Sequence, residues 1–362
     1  MVYVSEVENF MQKRLISIVL SLILVLSLAA CGADKTPSDL TIEESSSTPS
    51  STPAPEPPKP VYALNTLTGE TNLAKEAEGT KPIAITVNNI RVAQSVQCGL
   101  HKADVVFETE VEGGITRLLA MFADPTNVEK IGSVRSLRVV FVDLAAGMNA
   151  LVVHHGIDPT YCVPYLASSK VVSHQIGSKV DGYREKNGLA SEHTLFTSGK
   201  LLDGVLSAKG KDKGGNKTAW LNFRDTEEKL APSDQAATKL SVTFSGSVTT
   251  QFIYDAEAKK YARARKDVEY KDAASGEREL FTNVFVLKTT ITPYPNKVHK
   301  KVYLEGGDGY YATAGGIVPI KWKKGASSEN FKFTNVDGSP LTVNQGNSYV
   351  CIASNSQPFT FE

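Results

Sequence analysis

An apolar run from Leu15 to Leu28, entered through Lys13-Arg14 and closed by Leu28-Ala29-Ala30-Cys31, decides which part of this chain is free to fold. A basic start, a short apolar segment and small residues before a cut have the anatomy of a secretory signal. The run is shorter than the roughly 20 residues that a membrane-spanning helix needs. Residues 1–31 are therefore read as an export signal, and the rest is expected to fold outside the cytoplasm. Glu6 and Glu8 put negative charge where a signal needs positive, whereas Met11-Gln12-Lys13-Arg14 begins a better one. Translation is expected to start at Met11.

A cysteine directly after the small residues resembles a bacterial lipobox. Cys31 is expected to become the lipidated first residue of the mature protein, anchoring it to the extracytoplasmic face of the cell membrane. Residues 32–61 read as a tether. Ser45 to Pro60 is nearly all Ser, Thr, Pro, Ala and Glu, which offers no apolar surface to offset ordering entropy. At ~3 Å per residue where it is polyproline-like, the tether spans several nanometres.

Beyond the signal, about 330 residues remain, room for two domains. A content of 41% hydrophobic and 22% charged residues is that of a folded globular chain. The 39 basic and 39 acidic residues balance, so the basic field of a nucleic-acid binder is missing and no nucleic-acid partner is expected. Of four cysteines, Cys31 is assigned to lipid. Cys98, Cys162 and Cys351 are an odd remainder that cannot close a disulfide framework and are read as free buried thiols. No paired CxxC, G-x-S-x-G, H-E-x-x-H, P-loop or G-x-G-x-x-G occurs, so no metal and no cofactor is expected.

The expected fold class is mixed α/β: an N-terminal α/β domain with a mixed sheet over residues 62–230, then a β-rich domain over 231–362. Ile83 to Val87 reads as a buried strand from its β-branched content. Ala103–Val111 and Ile115–Phe122 read as a hairpin around Gly113-Gly114. Ser136 to Ala146 has apolar residues at 137, 140, 141 and 144, one face of a helix with Ser136 as its N-cap. Leu151-Val152-Val153 is a strand running into His154-His155. Lys209 to Gly215 is a surface loop. Six strands are read after Pro232, among them Ser241–Phe244, Val284–Lys288 and Ser348–Ile352.

Three groups of residues carry candidate chemistry. A two-residue turn places Glu108, Glu110, Glu112 and Arg117 on one face of the hairpin, with Glu110 opposite Arg117. Crowded carboxylates either pair with arginines or leave one with a raised pKa. Arg135 and Arg138 flank Ser136 at the predicted helix start, where cations oppose the helix dipole, and guanidinium forks with free N–H groups suit an anion. His154 and His155 point to opposite sides of a strand end, and His193 lies in a loop.

These blocks resemble the YerB-like lipoproteins. The residues that carry the resemblance are Pro82-Ile83-Ala84-Ile85 with Asn88-Asn89, then Ala103-Asp104-Val105-Val106-Phe107-Glu108 and Val111-Glu112-Gly113-Gly114-Ile115-Thr116-Arg117. Ile131-Gly132-Ser133-Val134-Arg135-Ser136-Leu137-Arg138 and Gly315-Gly316-Ile317-Val318-Pro319-Ile320-Lys321-Trp322 continue it. The resemblance implies a two-part mixed α/β protein at the bacterial cell surface, without an established activity and without a catalytic residue to carry over. Asn88 stands where that family usually has Asp, Ser133 where it has Pro, and Glu192 precedes His193 where Pro is typical.

The reading that results is a lipid-anchored envelope protein that binds an anionic or glycan-like ligand. Arg117, Arg135 and Arg138 would contact the anion. Asn89, Glu108 and Glu112 would orient them, with Ser136, His154 and His193 as further contacts. Tyr310 and Trp322 are candidates for a sugar-stacking surface. Two alternatives stand beside it: a cell-wall hydrolase using Glu108 and Glu110, ~7 Å apart along a strand, and a structural or protein-interaction module whose charges pair internally.

Overall fold

In the computed structural model the described residues are 61–177 and 179–362. The expected signal, Cys31 and nearly all of the tether lie outside them. The described residues form one compact unit.

The first half contributes β1 (Tyr62–Leu64), β2 (Thr71–Ala74), β3 (Ile83–Asn88), β4 (Val105–Glu110), β5 (Thr116–Phe122) and β6 (Ile131–Gly132). Helix α1 (Val139–Gly147), β7 (Leu151–His154), α2 (Cys162–Ser168) and β8 (Ser173–Gln175) follow. Next come β9 (Tyr183–Arg184), β10 (Leu195–Thr197) and α3 (Gly199–Ala208). The second half is all strand: β11 (Lys239–Ser245), β12 (Val248–Asp255), β13 (Lys260–Arg265), β14 (Val268–Glu269), β15 (Leu280–Phe281), β16 (Asn283–Thr289) and β17 (Ile291–Pro293). It ends with β18 (Lys300–Val302), β19 (Gly306–Thr313), β20 (Gly316–Lys324), β21 (Phe331–Asn335), β22 (Ser348–Ser354) and β23 (Phe359–Phe361). The protein is thus mostly β, with several sheets and three short α-helices among the described residues.

Ten strands form one mixed sheet, in the order β21-β20-β19-β16-β22-β4-β5-β3-β7-β8. The segments 62–230 and 231–362 share this sheet: β22 runs parallel to β16 on one side and to β4 on the other. Alternation along each strand supplies two cores. Ile83, Ile85, Val87, Val106, Leu118 and Ala120 face a second sheet, β14-β13-β12-β11-β23, and meet Leu240, Val242, Phe252 and Tyr261. Ala84, Val105, Phe107, Leu119 and Met121 face the other way, against Val140, Phe141 and Leu144 of α1 and against Trp220, Phe331 and Trp322. Trp322 is therefore core, and Tyr310 packs on Phe359 at 4.9 Å. Cys98, Cys162 and Cys351 are free and buried, and burial pushes the Cys98 thiol up to about 11.

Two local expectations are corrected. The glycine turn forms: Ile115 N–H donates to the Glu112 carbonyl at 3.0 Å, with Gly113 and Gly114 at φ 59° and 71°. Val111 N–H, however, donates to the same Ile115 whose N–H closes the turn, so two residues oppose one. This bulge shifts the register: Glu110 faces Thr116, and Arg117 faces Thr109. Glu108 and Arg117 consequently lie on opposite faces of the sheet, as do Phe107 and Leu118. The predicted helix starts later, at Val139. Ser136 is not its cap; the extended Arg138 is, without a capping side-chain bond.

Candidate functional site

Parallel strands β3 and β7 pair only over Ile83–Ile85 and Leu151–Val153. Past that point the segment Ser133–Leu137 is wedged between their carboxyl ends. Arg135 N–H donates to the Thr86 carbonyl at 3.0 Å, and the Arg135 carbonyl accepts from His155 N–H at 3.0 Å. Asn88 N–H bonds Ser133 on one side, and Leu137 N–H bonds Gly156 on the other, at 2.9 and 3.0 Å. A Cβ on Gly156 would come within 2.6 Å of Ser136 Oγ, so glycine there lets the two segments close up. Carboxyl ends of diverging parallel strands are where open α/β sheets place their ligands, and here that position is filled by the arginine-bearing wedge.

Around it stand most of the residues singled out in the sequence. Glu112, carried to the face of Arg117 by the bulge, accepts from Arg117 Nη2 at 2.9 Å and from Arg138 Nε and Nη2 at 2.8 and 2.6 Å. Arg117 Nη1 also donates to the Ser136 carbonyl at 2.9 Å, and Arg138 Nη1 to the Leu137 carbonyl at 2.9 Å. Burial raises the Glu112 carboxyl, but the Arg117 and Arg138 charges outweigh it and hold its pKa below the usual carboxylate value. Burial pulls Arg117 down to about 10 against Glu112, helped by the charges of Arg138 and Arg135.

Arg135 differs from its two neighbours. Its Nη1 donates to the Glu192 carbonyl at 2.7 Å, and no carboxylate bonds its guanidinium among the described residues. Burial lowers its pKa, opposed by Glu192 and Glu112. His193 stands beside it. Asn88 Nδ2 donates to His193 Nδ1 at 2.8 Å, which puts the ring proton on Nε2. Burial and the Arg135 charge lower the His193 pKa, so the ring is neutral near pH 7. His154 is held through Nδ1 by the Gly156 carbonyl at 2.7 Å, and burial lowers its pKa too. His155 turns the other way, toward Ile176 and Arg184.

Asn89 and Glu108 are placed elsewhere, inside the sandwich. Glu108 is wholly buried and accepts from Asn89, Thr116, Thr250 and Tyr349 at 2.7–3.1 Å. Asn89 Oδ1 accepts in turn from Arg263 Nη2 at 2.6 Å, and Arg263 pairs with Glu279 at 2.8 Å with both side chains shut off from solvent. Glu110 pairs with Lys300 at 3.0 Å. Sequence reasoning missed Arg263. Its one signal is alternation within Tyr261-Ala262-Arg263, which sets the arginine on the same face as a core tyrosine. Arg184 and Asn88 were missed as well, and only tertiary contact reveals them. The described residues hold no cluster of metal-ligating side chains.

The comparisons agree with this architecture. Residues 67–212 match the N-terminal domain, and residues 240–350 the C-terminal domain, of a family described as protein of unknown function DUF3048. The chain is 29% identical over 247 residues, 67% of its length, to 73% of a Bacillus subtilis (strain 168) protein named "Putative lipoprotein YerB". It is also similar to the crystal structure of YerB protein from Bacillus subtilis, with a TM-score of 0.70 and 25% identity, over 82% of this chain and 99% of that one. With both halves matched in order and the fold shared, this chain belongs to the DUF3048 family of YerB-like lipoproteins.

Proposed function

We propose that the protein is a lipid-anchored, extracytoplasmic envelope protein that binds an anionic group at the Arg135 wedge. One observation carries this reading. Of the three guanidinium groups gathered there, Arg117 and Arg138 share the half-buried carboxylate of Glu112, whereas among the described residues Arg135 is tied only to a carbonyl. A partly enclosed guanidinium with unused donors favours a carboxylate or phosphate. His193 stands near Arg135, with its Nε2 3.9 Å from Glu192 Oε1, and Arg117 and Arg138, locked on Glu112, hold the wedge in place. The Cys31 anchor rests on the sequence and on the likeness to a protein named as a lipoprotein.

Titration with inorganic phosphate and with glycerol phosphate tests the reading. Arg135→Ala is expected to weaken binding about tenfold or more, while thermal stability stays close to that of the wild type. Equal binding by the two proteins rejects it. The module reading draws support from Arg117 and Arg138, whose charges are spent on Glu112; on that reading neither phosphate binds at all. The carboxylate-pair hydrolase draws none, since Glu108 is enclosed by protein donors and Glu110 is held by Lys300.

A further inference from the structure

The hairpin β17–β18 crosses the outer side of α1, and between them lies a cleft of about 420 Å³ that no residue of the Arg135 wedge lines. We propose that this cleft is a second binding site, for a short uncharged saccharide. Its volume is within the roughly 300–1,000 Å³ of small-molecule sites. Its floor is Val139, Val140 and Asp143 of α1, and its walls include Tyr165, Tyr294 and Tyr303.

The polar groups are fixed in advance. Tyr165 donates its hydroxyl to Asp143 Oδ1 at 2.5 Å, and no hydrogen bond among the described residues engages Oδ2. Lys324 Nζ, on the same wall, is anchored by the Ala326 and Ser327 carbonyls at 3.2 and 2.6 Å. Tyr294 is stacked on Tyr161 with ring centroids 4.1 Å apart, which sets its ring without a ligand. A carboxylate that only accepts and amines that only donate, on a tyrosine-lined wall, match vicinal hydroxyls above the apolar face of a sugar ring.

Charge argues for a neutral ligand. Lys300 is paired with Glu110 at 3.0 Å, Lys324 lies in the field of Asp143 and Glu329, and the lining also carries Glu305 beside Lys301, whose Nζ lies 4.6 Å from the Tyr303 ring centroid. The cations are largely matched within the protein, unlike those of the Arg135 wedge. Asp143 and Tyr165 come from the first half of the chain and Tyr294, Lys301 and Lys324 from the second, so the site exists only when the halves are joined.

The test uses the chain from residue 32 onward and two probes, the N-acetylglucosamine tetramer and cellotetraose, followed by calorimetry and by NMR shifts of the wild type. Support is binding of at least one tetrasaccharide, with shifts in 139–143 and 294–303, weakened about tenfold by Asp143→Asn or Tyr294→Ala and within twofold of wild type in Arg135→Ala. Lys301 is exposed, and Lys301→Ala gives a further variant should the first two fail to fold. Overturning results are no binding of either probe at millimolar concentration, shifts confined to residues 133–138 and 193, or binding indifferent to all three cleft variants. Phosphate titration of the same samples reports on the wedge separately, so either site can fail alone.

Discussion

Arg263 shows what a single buried charge does in this core. It sits between the sheets with Glu279, Gln97 and Asn89 on its guanidinium and Tyr270 at 4.2 Å beneath it, while Nε has no partner. Removing it strands Glu279 in the interior. Arg263→Ala is therefore expected to cost about 3–5 kcal/mol in urea unfolding. Asp272 makes the second residue-scale case. Burial raises its carboxyl, but His101 and the N–H groups of Ser275, Gly99 and Ala274 overcome this and set the folded pKa well below the usual range. A depressed folded pKa contributes stability that is complete above the unfolded value of about 3.9, shrinks below it and is gone once pH has fallen through the folded value. Urea midpoints at pH 7 and pH 3 should show the wild type losing stability on acidification and Asp272→Asn losing less. Neither Arg263 nor Asp272 was legible in the sequence, because a charged residue's burial is decided by strands far away in the chain.

Among the elements, the β4–β5 hairpin decides the site. Its strands and its Gly-Gly turn were legible, from β-branched alternation and from two adjacent positions that need positive φ. The bulge was not: it depends on one backbone bond, Val111 to Ile115, that no residue type announces. That bond moves Glu112 to the face of Arg117 and buries Glu108 on the other. A Cβ at Gly113 would meet open space, so substitution there tests backbone strain alone. Gly113→Ala is expected to cost about 1 kcal/mol in thermal unfolding, and Gly113→Asn, which tolerates φ 59°, only a few tenths. The wedge Ser133–Leu137 reads in the sequence as a helix start because its arginines precede a helical periodicity. In the fold, bonds to Thr86 and Gly156 outcompete the helix.

Across the whole molecule, the β-rich character of the second half was legible; in the fold the last helix ends at Ala208 and strands resume at Lys239. The shared sheet was not, since sequence order hides that β22 lies beside β4. Trp220 and Trp322 belong to one apolar core. The chain from residue 32 onward is therefore expected to unfold in one transition, with tryptophan fluorescence and far-ultraviolet dichroism coinciding. A fragment ending at 230 would leave β4 with a bare edge and is expected to aggregate; separate transitions or a soluble, cooperatively folded fragment would refute this. The placement of β22 has a further consequence for biogenesis. A ribosome delivers polypeptide amino end first, and the strand that plugs the middle of the great sheet follows the other nine in sequence. Until it arrives the slot between β16 and β4 stays vacant, so the two flanks of the sheet become one only when its last strand is in place.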